Sequence, residues 1–129
     1  MKYELTNETK HIGNITLHRI IALKDFSDVK AGDMGGWIES EKNLSQEGDA
    51  WVYGDAEVGG NARVYGNAKV SGNAWVSGDA EVRGNAKVYG NATVYGDAWV
   101  SGDATVCGNA TVYGKAWVSG NVTMETYEK

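Results

Sequence analysis

From Gln46 onward the chain repeats a six-residue unit, V-x-G-[D/N]-A-x, without an insertion or deletion. Valine recurs at Val52, Val58, Val64, Val70, Val76, Val82, Val88, Val94, Val100, Val106, Val112 and Val118. Glycine stands two places after each, and also at Gly48; Asp or Asn follows every one of these glycines except Gly114, which precedes Lys115. A short fixed period of this kind marks a stack of identical structural units, none of which can bury its apolar face alone.

Read as A-x-V-x followed by G-[D/N], each hexad is a short strand and a two-residue corner. Alternation sends Ala and Val to one face and the two variable residues to the other. Glycine accepts positive φ without steric cost, and Asn and Asp accept it better than other residues, so both suit the corner. An antiparallel meander of such strands would leave its Ala/Val face uncovered. A solenoid folds that face inward instead. Three sides of six residues make an 18-residue coil, and the 13 repeat glycines then give a little over four coils. At about 4.8 Å per coil the prism is roughly 20 Å tall.

Aliphatic first positions with a small fifth residue, as in Val52 with Ala56 through Val112 with Ala116, resemble the hexapeptide signature of left-handed parallel β-helix proteins. The resemblance implies the left hand, which periodicity does not. The expected fold is all-β: a three-sided left-handed parallel β-helix with a small N-terminal β cap. The segments KYELTNETK and LHRIIALKDFSDVKAGDMGGWIESEKNLSQEGDAWVYGDA are similar to hexapeptide-repeat proteins carried by phages and prophages and described as transferase-like. That implies phage or prophage origin.

The expected organisation is a cap over 1–45, repeats over 46–123 and a tail over 124–129. In the cap, Ile15, Leu17, Ile21 and Leu23 alternate along one strand face, while Phe26 and Trp37 are apolar anchors in the turn-rich segment that follows. AGDMGGW lacks the Lys-Ser/Thr of a nucleotide loop and reads as a tight turn.

Composition narrows the function. A net charge of -5 argues against direct binding to nucleic acid or anionic membranes. No apolar run approaches the roughly 18 residues of a membrane span, and one cysteine allows no internal disulfide, so a cytoplasmic location in a bacterial host is expected. Hexapeptide acyltransferases, by resemblance, carry a catalytic histidine on a coil. Here the two histidines, His11 and His18, both precede the first hexad. The expectation is therefore no enzyme, no catalytic residue, no cofactor and no metal site, with Cys107 an outward, passive thiol.

Residues 18 apart share a face, so the variable positions sort into columns. Trp51, Tyr53, Trp75, Tyr89, Tyr95, Trp99, Tyr113 and Trp117 all fall on outward positions. Exposed Trp and Tyr in rows mark interfaces. The resulting expectation is a non-catalytic interaction protein, self-associating as a trimer or dimer and binding a host protein, in the manner of a counter-defence inhibitor. The alternatives are an acyltransferase-like enzyme with a displaced base such as His18, and a purely structural assembly unit.

Overall fold

The structure, a computed structural model, describes residues 1–120 and 122–124. Beyond Met124, the expected C-terminal tail lies outside them. From Trp51–Val52 to Thr123–Met124 the described residues contain thirteen two-residue strands at six-residue intervals. They stack in parallel with an offset of 18 residues, as in Glu57↔Trp75 and Trp75↔Thr93. Three sheets result, one on each side of a parallel β-solenoid. The first face carries the strands beginning Trp51, Lys69, Lys87, Thr105 and Thr123; the second, Glu57, Trp75, Thr93 and Thr111; the third, Arg63, Glu81, Trp99 and Trp117.

All twelve repeat valines are buried, and Ala50 through Ala110 at the six-residue spacing are buried with them. Each fully buried valine contributes about 1.5–3 kcal/mol of transfer free energy before chain entropy is set against it. At the corners glycine alone takes positive φ, for example +67° at Gly78, and at most of them the i to i+3 bond closes behind it, as from Ala80 N to Ser77 O at 3.3 Å. Positive φ at only the first central residue is the pattern of a type II′ turn. Asn and Asp therefore do not use the left-handed freedom expected of them. Their side chains ladder between coils instead, Asn61 Nδ2 donating to Asp79 Oδ1 at 3.1 Å and Asn73 Nδ2 to Asn91 Oδ1 at 3.3 Å.

The N-terminal segment forms β1 (Tyr3–Ile12), β2 (Ile15–Ala22) and β3 (Met34–Ile38). β1 and β2 make an antiparallel hairpin, β2 pairs with β3, and β3 pairs in parallel with the Glu57 strand, so the hairpin extends the second face. Parallel stacking thus begins before the first hexad: Ile38 lies over Val58 and Leu44 over Val64, both fully buried. A bulge between Arg19 and Ile21 breaks the expected alternation of β2. Beyond it Ile20 and Ala22 enter the core, while Leu23 is exposed. Gly35 and Gly36 are not turn residues but lie within β3. A Cβ on either would stand 2.7 or 2.6 Å from its nearest neighbours, among them Val52 O and Ala56 O, so the strand crosses the end of the prism too closely for any side chain.

Capping also requires closing the backbone. In regular coils most Gly and Ala carbonyls at the corners accept N–H groups from the coil before, as Gly78 O does from Asn61 N and Ala80 O from Arg63 N. The first coil has no such predecessor, and three different groups supply the donors. Trp37 N donates to Ala56 O at 3.0 Å. The Asn43 amide donates to Gly60 O at 3.2 Å and Ala62 O at 2.8 Å. Lys2 Nζ donates to Gly48 O at 3.4 Å and Ala50 O at 2.7 Å. Buried carbonyls left without donors are costly, which accounts for a lysine and an asparagine among the most buried side chains.

Burial, opposed in part by the nearby Asp49 charge, lowers the Lys2 pKa from 10.5 to about 8. Between those values the unfolded chain holds a proton that the folded chain has lost, so stability rises with pH from about 8 toward 10. Tyr3 and Tyr53 act in the opposite sense. Burial, aided at Tyr53 by the bond to Asp28, pushes both hydroxyls above their usual range. Above about pH 10 the unfolded tyrosines ionise first and stability falls. Urea midpoints across this range are expected to peak near pH 10. In Lys2→Met the rise on the lower side disappears while the fall above it remains.

Candidate functional site

Of the outward aromatics named from the sequence, two sets are surface columns. Tyr95 and Tyr113 stack with centroids 5.5 Å apart and 11° between planes; Trp99 and Trp117 stack at 4.8 Å and 3°. Both pairs flank one corner, formed by Gly96–Asp97 and Gly114–Lys115. Arg83 lies over Trp99 at 4.4 Å, completing a cation-to-ring stack. Trp117 is 70% exposed and Tyr95 40%. Trp75 is half-buried on the second face.

Trp51 is not at the surface. Its register position is outward, opposite Lys69, yet it is buried beneath Phe26 at 5.2 Å and Tyr3 at 6.1 Å. The β2–β3 connection folds over the start of the first face and covers Trp51. Phe26 is thus a cap anchor, as is Trp37, buried between Lys10 at 4.5 Å and Arg19 at 5.2 Å, with Lys10 also paired to Glu57. Cys107, expected to face solvent, is buried. His11 is exposed and shares a 2.9 Å bond with Thr16 Oγ1, while His18 is half-buried on β2 opposite Thr9 and Ile38.

Besides a groove of about 420 Å³ between Lys42, Asn61, Arg63, Asp79 and Glu81, two grooves hold clustered polar groups. One, of about 500 Å³, opens on the third face between Glu41, Lys42, Ser45, Gln46, Arg63 and Tyr65. Arg63 there reaches Glu81 at 3.6 Å, and the Tyr65 hydroxyl donates to the same carboxylate at 2.9 Å. The other, of about 300 Å³, lies on the first face between Asp28, Tyr53, Lys69, Ser71, Lys87 and Tyr89. The Tyr53 hydroxyl donates to Asp28 Oδ1 at 2.7 Å, and that bond, with Lys69 nearby, draws the Asp28 carboxyl below its usual pKa. Of these lining residues the sequence pointed to Tyr53, Lys87 and Tyr89. The lysine column, Lys69 and Lys87 at the same hexad position in successive coils, was the available signal.

The profile of the YdcK β-solenoid repeat family matches residues 62–84, 86–102 and 104–120. A protein of Escherichia coli (strain K12) named "Uncharacterized acetyltransferase YdcK" is 43% identical over 60 residues, which cover 40% of this chain and 18% of that protein. The matched part is less than a fifth of that relative's length. The expectation that the chain is no enzyme does not stand beside this similarity. It rested on the missing coil histidine, and that absence excludes only a histidine base on a coil, not one supplied from the cap or by another kind of side chain. Geometry and similarity agree on the body of the molecule: it is a β-solenoid repeat protein.

Proposed function

We propose that the chain is an acetyltransferase-type β-solenoid protein whose hexad coils supply the rigid body and whose grooves supply the binding sites. The observation that carries this reading is the 43% identity to a protein named as an acetyltransferase. The third-face groove suits a phosphate-bearing acyl donor, because Lys42 and Arg63 line it together. His18, on the inner strand of the hairpin, belongs to the second-face sheet and does not line this groove, so the base for this reaction is not assigned to it. Calorimetry with acetyl-coenzyme A is the test. Saturable heat is expected, weakened about tenfold or more in Arg63→Ala and unchanged in His18→Ala. No saturation up to about 1 mM, equivalent to roughly 4 kcal/mol of binding free energy, removes this reading.

The corner carrying Tyr95, Trp99, Tyr113 and Trp117 favours a second role for the same molecule, that of a macromolecular contact surface. Trp117 is too exposed for a side chain whose task is only to stack. Self-association as a trimer or dimer is the first use we infer for it. Docking on a host protein is the second, in keeping with the phage resemblance of the N-terminal segment. Trp117→Ala is expected to lower the mass seen by light scattering while costing about 1 kcal/mol of stability from the lost ring pair. Unchanged mass excludes the corner as a self-contact.

A further inference from the structure

The first-face groove has features that neither the repeat nor the cap requires. Lys69 and Lys87 stand directly opposite each other on adjacent strands. Like charges so placed are destabilising. Lys69 is compensated by Asp28 at 3.8 Å and by Ser27 Oγ at 3.4 Å. Lys87 is exposed, and among the described residues no carboxylate comes within ion-pair distance of it. Among the described lining residues two lysines stand against one aspartate, a local excess of positive charge on a chain of net charge -5.

Beside the lysines runs a second column, Tyr53, Ser71 and Tyr89, one residue per coil. Coils are about 4.8 Å apart, so the two tyrosines stand about 10 Å apart with only a serine between them. A planar ring laid over Ser71 would lie about 5 Å from each tyrosine level. The chain's own ladders stack at that spacing, 4.8 Å for Trp99 with Trp117 and 5.5 Å for Tyr95 with Tyr113. The groove is also held in shape. At the tip of the β2–β3 connection Ser27 adopts φ +50°, which among the described residues occurs at no other non-glycine. That strained turn sets the Asp28 carboxylate on the Tyr53 hydroxyl and the Ser27 hydroxyl on Lys69.

We propose that this groove binds a small planar aromatic anion, its ring stacked over Ser71 between Tyr53 and Tyr89 and its carboxylate or phosphate held by Lys87 and Lys69. The proposal does not rest on acetyl transfer, which we place in the third-face groove.

Calorimetric titrations with adenosine 5′-monophosphate and with benzoate separate a phosphate from a carboxylate ligand, and inorganic phosphate serves as the control without a ring. At least one ring-bearing anion is expected to saturate, and to do so more tightly than inorganic phosphate. Lys87→Ala, at an exposed position, is expected to weaken it about tenfold or more. Ser71→Tyr fills the gap with a third ring and is expected to abolish binding without lowering the melting temperature. Failure of both ring anions to saturate, inorganic phosphate binding as tightly as they do, or a folded Lys87→Glu protein that binds as well as the unaltered chain would each overturn the proposal.

Discussion

Asn43→Ala is expected to destabilise the protein by about 3 kcal/mol, a large loss for one side chain of this size. The asparagine is fully buried and every polar atom is used. Its Oδ1 accepts from Glu39 N at 3.0 Å and Ser40 N at 2.9 Å, and its Nδ2 caps Gly60 O and Ala62 O. Alanine strands Ser40 N and the two carbonyls where water has little access, while Glu39 N keeps its second bond to Val58 O at 3.1 Å, and each orphaned group costs about 1–3 kcal/mol before relaxation. Asn43→Asp isolates half of this network. It keeps the acceptor for Glu39 N and Ser40 N but turns a carboxylate toward two carbonyl oxygens, so it is expected to be no better than alanine near neutral pH. Urea midpoints measure both. A loss below about 0.5 kcal/mol for Asn43→Ala, the range of ordinary surface changes, would show that the amide is not needed to close the first coil.

Gly78→Ala carries the second large effect, and Gly54→Ala is its internal control. Both glycines have positive φ, +67° and +57°, so alanine pays the left-handed strain at either, about 1–2 kcal/mol. They differ in what lies beyond. A Cβ on Gly78 would stand 2.8 Å from Gly96 N and 3.1 Å from Gly96 O, whereas one on Gly54 meets nothing within 4 Å. The obstruction is backbone of the next coil, which cannot turn aside as a side chain can, and it sits in a ladder that also holds Asp79 N to Gly96 O at 2.8 Å. Gly78→Ala is therefore expected to cost about 3 kcal/mol or more, adding an overpacking term to the strain. Gly54→Ala should stop at about 1–2 kcal/mol. Equal losses in the two variants would mean that glycine is kept in the corner column for its φ alone and not for the approach of coils.

The body of the solenoid was legible because each of its contacts is a fixed offset along the chain. Knowing that Val76 sits 18 residues before Val94 is enough to place one over the other, and the same arithmetic placed Trp99 on Trp117 and Tyr95 on Tyr113. The cap has no such rule. Trp51 satisfies the outward position of the hexad, and nothing in its neighbourhood says that Phe26, 25 residues earlier, will lie on it. Lys2 looks like an exposed charge near a terminus until its ammonium is found on Ala50 O, 48 residues away. The bulge that sends Ile20 rather than Ile21 into the core was equally silent, because a one-residue slip leaves the composition of β2 unchanged and reverses its faces.

The candidate sites divide along the same line. The aromatic corner lies wholly on the hexads, so its columns could be read off the sequence, though its standing as a contact surface is a proposal. The first-face groove exists because Ser27 and Asp28, on a connection with no period, come down on Tyr53 and Lys69. By itself the sequence determined the coil, its valine and alanine core, its glycine corners and the sorting of outward residues into columns. All of these follow from local alternation and from a repeat whose partners are copies of itself. Only the tertiary structure decided how the first coil is closed, which outward aromatics stay at the surface and where polar groups gather into grooves. Those depend on meetings between segments that share no repeat, and their energies come from burying particular groups against one another rather than from a pattern that either segment carries alone.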